Sequence, residues 1–444
     1  MRPVSAPKRP PLRRRLPTAS VLALATLSLA ASRPAAAQLL ETYLPDGVPG
    51  FAGAPGVTVA SRIEPAYQPL GVPLGMLVLH PDLSEEFGYT SNVFAAGAPQ
   101  GSVTLSTSPG LTAGFDNGTD RIGAAANLDN TRYFMDPAQG RTDATGAVGG
   151  EVGFGEDKLS VGLADLSLHE DRTALDAAPS DTPIAYRVQD LHVGYEARFG
   201  DFSATPAFDV KRWRYDDTTL MGAPISEAYR DRDTYTAGTT LRYGPSDLRS
   251  LVLVLNATGL HYTAPQPGQP SPDATGWQAL AGIDRADGGV WRYRLLAGWE
   301  ERVFAASAYP DHGGPMIAAG ITWLPSETTT VGLTATRRIE DAAQEGVGGY
   351  TLTALSLRVD HAAWRNLLLN VELSVQLADY LPGNGASGGQ QRQVAAGGGG
   401  EWRLNRWMAL YASSSVTGAN GTAQPGAASA WVNVVSLMGV RFGL

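Results

Sequence analysis

The sequence predicts an all-β protein: an antiparallel up-and-down transmembrane β-barrel of the outer-membrane type, with about eighteen strands. Two observations carry this prediction. After Met76 the chain divides into short segments in which apolar and polar residues alternate, and the connections between these segments are by turns short and long. Bacterial outer-membrane barrels combine an even strand number with short turns at one end and long loops at the other. Sixteen strands is the alternative count.

The short connections carry residues that favour tight turns, such as the Asn117-Gly118 and Gly200-Asp201 pairs. Eight of them lie near residues 116–119, 155–157, 200–201, 244–247, 287–289, 325–327, 365–366 and 405–406. Nine longer polar connections lie near residues 91–101, 134–142, 170–185, 215–229, 264–274, 305–314, 340–349, 380–390 and 418–427. With nine long and eight short connections, both ends of the chain are expected on the short-turn side, in the periplasm.

Alternation within the segments is the second argument. In the final segment one face is apolar and the other is polar or glycine, as expected of a strand between lipid and a lumen. The apolar face holds Val432, Val434, Met438, Val440, Phe442 and Leu444, and the other holds Asn433, Gly439, Arg441 and Gly443. Residues 367–378 alternate in the same way, whereas residues 251–262 are apolar on both faces and their register stays open. A soluble β-sandwich or β-helix is the alternative, but it seldom keeps such a rhythm through seventeen connections.

Residues 1–37 are predicted to be a secretory signal. They contain Arg13-Arg14-Arg15, an apolar run over residues 21–31 and Ala35-Ala36-Ala37 before Gln38. The apolar run is too short for a helix to span a membrane, which takes about 20 residues. The chain has no cysteine, which excludes a lipid-anchored lipoprotein, a disulfide and a thiolate metal site.

The charge balance argues against nucleic acid as a partner. The first 37 residues hold seven basic residues and no acidic ones, so the rest of the chain has 27 basic against 43 acidic residues, a net charge of −16. Residues 38–75 are rich in Pro, Gly and Ala and are predicted to be a periplasmic arm. This arm could stay in the periplasm as a disordered leader, contact a partner, or enter the lumen as a plug. Residues 76–444 are predicted to be one barrel domain, because a split barrel would expose unpaired strand edges to lipid.

The arm and the first hairpin carry a family resemblance. The matching positions are Arg62 to Gly71 (Arg-Ile-Glu-Pro-Ala-Tyr-Gln-Pro-Leu-Gly), Gly75, Leu77, Pro81, Tyr89-Thr90-Ser91-Asn92-Val93-Phe94, Arg132-Tyr133 and Asp143. They resemble the opening of the putative β-barrel porin 2 family, over the first part of the mature chain. The resemblance implies an outer-membrane barrel of Proteobacteria, frequently associated with exopolysaccharide or capsule production. It implies no catalytic residues.

The alternation predicts a charged lumen wall. The predicted lumen positions are Glu196, Arg198, Asp209, Lys211, Arg242, Asp284, Arg292, Arg294, Glu300, Arg302, Arg338, Arg358, Asp360, Glu372, Glu401, Arg403 and Arg441. Both signs occur, often two residues apart, so the pairs could set the field across a pore or only solvate its wall. An eighteen-stranded barrel is wide enough to leave an aqueous channel. We therefore expect a passive channel for polar solutes, with no cofactor and no metal.

Outward aromatic residues near the short turns predict a membrane-interface girdle. Its members are Phe115, Phe202, Tyr243, Trp291, Trp323, Trp402 and Phe442. By parity Trp407 and Tyr411 could instead line the lumen as a sliding surface for sugars. The final residues Val440 to Leu444 resemble the strand signal read by the barrel-assembly machinery, although Leu444 stands where Phe is commonest.

Two other classes of function remain open on sequence alone. An enzyme could use His169 or His312, which fall in predicted extracellular loops, but no Gly-x-Ser-x-Gly or His-Glu-x-x-His motif is present. A non-transporting structural or interaction barrel could have its lumen plugged by the arm or by loops. In either barrel reading the expected partners are outer-membrane lipid and lipopolysaccharide, the assembly machinery, and a polysaccharide or a periplasmic export component.

Overall fold

The computed structural model describes residues 48–49, 58–62, 64–246, 249–285, 289–384, 388–421 and 430–444. The predicted signal, residues 1–37, lies outside the described residues. Within them, no helix is long and apolar enough to cross a membrane. The described residues contain three short 3-10 turns, at Pro65–Tyr67, Pro137–Gln139 and Ala228–Arg230.

Twenty-one strands occur in the described part of the chain. In order they are β1 (Val72–Leu74), β2 (Leu77–Thr90), β3 (Ser102–Asp116), β4 (Arg121–Tyr133), β5 (Arg141–Phe154), β6 (Asp157–His169), β7 (Ala185–Phe199), β8 (Phe202–Tyr215), β9 (Thr218–Leu220), β10 (Ala223–Ile225), β11 (Arg232–Ser246), β12 (Arg249–Tyr262), β13 (Ala274–Arg285), β14 (Trp291–Phe304), β15 (His312–Ser326), β16 (Thr329–Glu340), β17 (Tyr350–Trp364), β18 (Leu367–Tyr380), β19 (Gln390–Arg403), β20 (Met408–Gly421) and β21 (Ala430–Gly443).

Eighteen of these strands form a closed antiparallel barrel, which confirms the predicted fold class and strand count. Each barrel strand pairs with its neighbours along the chain, from β2 to β8 and, after the small β9–β10 hairpin, from β11 to β21. Closure comes from β2 and β21, which pair from Asp82 with Gly443 to Thr90 with Val435. No barrel strand is left with an open edge, which a membrane would penalise.

The connections fall into two groups at opposite ends of the barrel, here called the turn end and the loop end. At the turn end, β7 and β8 are joined by Gly200-Asp201 alone, and Phe199 pairs directly with Phe202. Gly200 has a φ of +62°, a left-handed conformation that glycine adopts without steric cost. Within the described residues, the predicted turns and loops fall where the sequence places them to within a few residues, except that residues 418–421 belong to β20 and that His169 ends β6 and His312 begins β15 rather than lying in loops. Residues 247, 287–288, 385–387 and 422–427 of the predicted connections lie outside the described residues.

Side chains alternate between the two faces of the wall, as β18 shows. Leu369, Val371, Leu373 and Val375 are exposed on the outer face, while Glu372, Ser374 and Gln376 are buried on the inner face. Since paired residues of neighbouring strands share a face, the register carries this assignment around the whole barrel. It also assigns the faces of residues 251–262. Val252 and Val254 point inward, since they pair with the inner-face residues Gly282 and Leu280.

Two described pieces of the arm lie inside the barrel. Val48 packs with Ala125 and Ala147 of the inner wall, and Pro49 covers Gly149 so closely that a side chain at Gly149 would strike its carbonyl oxygen. The Val59 N–H donates to Thr330 Oγ1 at 2.9 Å. Because β5 and β16 stand nine strands apart in the ring of eighteen, the two pieces touch opposite walls.

After these pieces the arm returns to the turn end. There β1 pairs with the first residues of β2, with Val72 opposite Leu79. This pairing covers the part of β2 that extends beyond the end of β21. The arm is thereby joined to the seam at which the barrel closes.

Candidate functional site

The candidate site is the lumen together with its entrance at the loop end. The seventeen charged residues predicted for the lumen all occupy inner-face register positions, for example Arg358 opposite Glu372 and Asp284 opposite Arg294. Arg292 and Arg294 lie in the turn half of β14. The pairing register thus places all seventeen residues on the inner face of the wall.

Ion pairs run along the wall formed by β17 to β21. Arg358 contacts Asp360 at 3.0 Å on its own strand and Glu372 at 3.4 Å on the next. Farther along, Glu401 contacts Arg403 at 2.6 Å and Arg441 at 3.2 Å. Positive and negative groups therefore alternate around this part of the lumen, at positions that strand parity predicts.

The opposite wall, formed by β7 to β13, carries a second series of pairs. Their members are Arg198 with Glu196 at 2.9 Å, Lys211 with Asp190 at 3.8 Å, His192 with Asp209 at 2.7 Å, and Arg242 with Asp284 at 2.8 Å. Asp190 and His192 are absent from the sequence prediction. Both occupy even positions of β7, the parity of Glu196 and Arg198, so the same alternation identifies them.

Many of these lumen charges have open space around them. The side chains of Arg242, Arg358 and Arg441 are 36%, 38% and 48% exposed, although they point into the barrel. Exposed ion pairs contribute little to stability, since water competes for both partners. Their positions suit them to set the electric field of a water-filled space.

The loop end is built differently, because a long loop crosses it. The loop of residues 170–184 connects β6 and β7, yet its middle contacts β18 and β19. β18 stands nine strands after β7 in the ring of eighteen, so the loop spans the barrel from one wall to the opposite one. Near its start the loop also contacts the 134–140 connection, because Arg172 Nε donates to Gln139 Oε1 at 2.9 Å.

Buried ion pairs hold this crossing loop to its neighbours. Arg230, whose side chain is 6% exposed, contacts Glu170 at 2.8 Å and Glu227 at 3.2 Å, and its guanidinium lies 4.1 Å from the centre of the Tyr215 ring. Burial raises the pKa of Glu227, and Arg230 offsets part of that rise. A buried arginine placed between two carboxylates and an aromatic ring satisfies all of these groups together.

A second buried group lies beside the first. Asp341 accepts hydrogen bonds from Arg232 and Arg302, both at 2.7 Å, and Arg232 also lies over the Trp213 ring. Burial alone would raise the pKa of Asp341, but the two arginines outweigh it and hold the pKa below its ordinary value. Arg302 is the one predicted lumen residue in this group, and its partner lies in the loop of residues 341–349.

A cavity of about 400 Å³ opens among these loops. Its lining includes Tyr229, Arg232, Tyr262 and Tyr309 together with Ala343 and Val347 of the 341–349 loop. Ala343 and Val347 also take part in the contacts between that loop and the crossing loop. Movement of either loop would therefore change the shape of the entrance.

The predicted girdle residues occupy outer-face positions at the turn end. Trp291 pairs with Trp323 across β14 and β15, and the two rings stack at 5.3 Å. Phe202, Trp402 and Phe442 are likewise exposed there. Tyr411 faces the lumen, where its hydroxyl donates to Glu86 at 2.7 Å, and Trp407 lies in the turn before β20.

The two histidines considered as catalytic groups have structural partners. His169 Nδ1 lies 2.8 Å from Asp143 Oδ1, and His312 Nε2 lies 3.0 Å from Thr351 Oγ1. His312 opens β15 among the loop-end contacts. The His169 ring thus contacts the neighbouring strand β5, and the His312 ring contacts β17, two strands away.

Known proteins relate to the chain as follows. No curated protein sequence matches it. Solved structures with a similar fold include OpdK from Pseudomonas aeruginosa (12% identity, 82% of this chain, 99% of that chain, TM-score 0.43) and OccAB2 from Acinetobacter baumannii (10%, 86%, 99%, 0.44). The ferric enterobactin receptor PfeA from Pseudomonas aeruginosa, in mutant form, is a third (8%, 82%, 80%, 0.42).

A family model covers most of the barrel and agrees with the resemblance seen in the sequence. The model described as "Putative beta-barrel porin 2" matches residues 64–441, from just before β1 to the last strand. Its extent includes all eighteen barrel strands apart from the last residues of β21. The chain belongs to the putative β-barrel porin 2 family.

Proposed function

We propose that the protein is a passive channel for polar solutes in the outer membrane of a Gram-negative bacterium. The observation that carries the proposal is a closed eighteen-stranded barrel whose inner face is polar and charged, with side chains such as Arg358 and Arg441 partly open to the lumen. A barrel of this size leaves an aqueous space that smaller barrels fill with side chains. The channel needs no cofactor and no catalytic group.

The orientation follows from the two ends. The long connections face the cell exterior, and the short turns and both chain termini face the periplasm, as in other bacterial barrels. The girdle of Trp291, Trp323, Trp402, Phe202 and Phe442 then lies at the periplasmic membrane interface. The outer face contacts lipid and lipopolysaccharide, and β21 carries the signal for the barrel-assembly machinery.

The proposed solutes are polar and hydrogen-bonding, with no strong preference of sign, because the inner wall carries both charges in pairs. The family resemblance supports a link to exopolysaccharide export, with acidic oligosaccharides among the solutes. To test this, the mature protein is refolded and its conductance is recorded in a planar bilayer, with and without acidic oligosaccharide in the bath. If the channel conducts steadily and the oligosaccharide blocks the current, the result supports a sugar-permeable channel. If the oligosaccharide leaves the conductance unchanged, the protein is a channel for other polar solutes.

A plugged structural or interaction barrel is the second candidate, and the arm favours it. Val48 and Val59 are 3% and 5% exposed inside the barrel, against opposite walls. An arm that touches both walls narrows the passage from within. In this candidate the acidic loops contact polysaccharide or other surface components, and the lumen stays closed.

Removal of residues 38–62 separates the two candidates. This deletion takes away both arm pieces that touch the lumen wall and leaves the family-matched segment, which starts at residue 64, and strand β1 intact. If the arm is a plug, a silent barrel becomes conductive after the deletion. If the intact protein already conducts and the deletion raises its conductance only modestly, the arm narrows a working channel.

A further inference from the structure

The loop of residues 170–184, here called the crossing loop, ends its path across the barrel in a small set of contacts around Asp176. Asp176 is 6% exposed, and its carboxylate accepts hydrogen bonds from the Ala343 N–H at 2.6 Å and from the Tyr380 hydroxyl at 2.8 Å. The Asp176 N–H donates to Gln391 Oε1 at 3.0 Å. One residue thus joins the loop to β18, β19 and the 341–349 loop.

Neighbouring contacts support the same docking. Leu175 packs with Val347, Tyr350 and Tyr380, and the Gln393 side-chain amide donates to the Thr173 carbonyl oxygen at 2.5 Å. They add to the ion pair between Glu170 and Arg230 near the start of the loop. A loop segment can open locally at a free-energy cost below that of global unfolding, so the docked segment around Asp176 is in equilibrium with a released one.

Burial makes the Asp176 carboxyl sensitive to its protonation state, because a buried charge loses its hydration. The groups that face it include Tyr380 on β18 and Tyr350 on β17, with Arg230 from the 216–231 connection and Glu170 from the crossing loop itself. Among these four groups only Arg230 is cationic, and it is also bound to Glu170 and Glu227. Loss of hydration on burial outweighs the stabilising contacts of the Asp176 carboxylate, so its pKa lies above the ordinary value.

When the loop is docked, both oxygens of a neutral Asp176 carboxyl have hydrogen-bond partners. A protonated oxygen can donate to the Tyr380 oxygen, which can in turn donate to Gln391 Oε1, 3.1 Å away. The other oxygen still accepts from the Ala343 N–H. The docked geometry consequently suits the acid at least as well as its anion.

Docking of the crossing loop should weaken as the pH rises. Burial raises the pKa of Asp176 to about 7, with the bonds from Ala343 and Tyr380 opposing the rise, whereas a released carboxyl has the ordinary value of 3.8. The docked loop therefore holds the proton more tightly than the released loop. Docking is strongest below the released value, weakens as the pH rises between the two values, and changes no further above the docked value.

We propose that the crossing loop is a pH-sensitive gate of the channel, latched across the loop end by protonated Asp176 and released when that residue ionises. The proposal rests on the proposed channel function only for its effect on solutes, since the docking itself is a property of the loop. From about pH 5 to about pH 8 the ratio of docked to released loop should fall by about 10²-fold. The channel accordingly opens as the exterior turns from acidic to neutral.

The test compares Asp176→Asn with Glu345→Gln. Asparagine keeps the size of Asp176, tolerates its left-handed φ of +63° and cannot ionise, so it mimics the latched state. Glu345 is an exposed carboxylate of the 341–349 loop, and its change removes the same charge away from the latch. In planar bilayers the conductance of the unsubstituted protein and of Glu345→Gln should rise with pH, whereas Asp176→Asn should stay in a low-conductance state throughout.

A second readout does not need conductance. The chain has no cysteine, so Ala174→Cys, a buried position in the crossing loop, provides a single thiol for labelling. At one fixed pH near 8, adding Asp176→Asn should slow the labelling by at least about tenfold, because the neutral side chain keeps the loop docked. The fixed pH removes any effect of thiol ionisation.

The outcomes separate the gate from the channel. Equal labelling rates with and without the Asp176→Asn change refute the latch whatever the conductance does. Slower labelling in a barrel that never conducts keeps the latch and contradicts the channel. Slower labelling together with a conductance that does not change with pH shows that the loop moves without controlling the passage. That result would refute the proposal that the loop is a gate.

Discussion

The two halves of the barrel use the same charged residue types in opposite surroundings. In the turn half, Arg358 stands 38% exposed between Asp360 and Glu372. At the loop end, Arg230 is 6% exposed between Glu170 and Glu227. Each arginine has two carboxylate partners, so the difference lies in access to water. Lumen charges can shape a field, whereas loop-end charges hold the crossing loop in place.

The largest expected effect comes from breaking the buried group. Replacement of Arg230 by methionine keeps much of the packing but leaves Glu170 and Glu227 without their cation. Breaking a buried ion pair in this way costs about 3–5 kcal/mol. We expect a loss of this size in the free energy of unfolding, measured by urea titration of the protein in lipid vesicles.

Arg187→Gln is the matched control for that prediction. Arg187 contacts Asp165 at 2.5 Å, but the two side chains are 60% and 44% exposed. An exposed pair contributes about 0–1 kcal/mol, so this change should leave the unfolding free energy almost unaltered. Equal effects of the two substitutions would show that burial does not distinguish the loop end.

A smaller effect is expected at the aromatic girdle, outside both charged regions. Trp291 and Trp323 stack across β14 and β15. Stacked aromatic pairs contribute about 0.5–1.5 kcal/mol beyond the surface they bury. A double-mutant cycle with Trp291→Ala and Trp323→Ala should return a coupling energy of that size, and a coupling near zero would mean that the stacking adds nothing.

The smallest effect is expected from the open lumen pairs. Arg358→Gln leaves Asp360 and Glu372 unneutralised on the inner wall, so the reversal potential in a salt gradient should shift toward cation preference. The change in permeability ratio should stay below about threefold at 0.1 M salt, where exposed charges are screened beyond about 10 Å. The shift should vanish for Arg187→Gln on the outer face, and a shift toward anions would contradict the assigned inner wall.

The halves also differ in how far the sequence predicts them. Alternation with a period of two assigns a face to each strand residue without knowledge of its neighbours, which is why Arg358, Glu372 and Arg441 fall on the inner face as predicted. The crossing loop depends instead on contacts with Tyr380 and Gln391, some 200 residues later in the chain. Local pattern carries no information about such contacts.

One local signal of the crossing loop was present in the sequence. Ala174-Leu175 and Ala177-Ala178 are apolar pairs in a connection that also carries Glu, Asp, Arg, Thr and Ser. Apolar residues in a long loop indicate that part of it is covered, here by Val347, Tyr350 and Tyr380. The same reasoning fails for the arm, since its Pro, Gly and Ala composition gives no sign that Val48 and Val59 are buried inside the barrel.

Single-channel recording of the refolded mature protein should detect a water-filled passage through this barrel. We expect stepwise conductance that is low in acid, rises toward neutral pH and increases when residues 38–62 are removed. Persistent silence from a correctly folded barrel, both with and without residues 38–62 and at a pH above 7, would contradict the channel and leave the structural barrel as the remaining function.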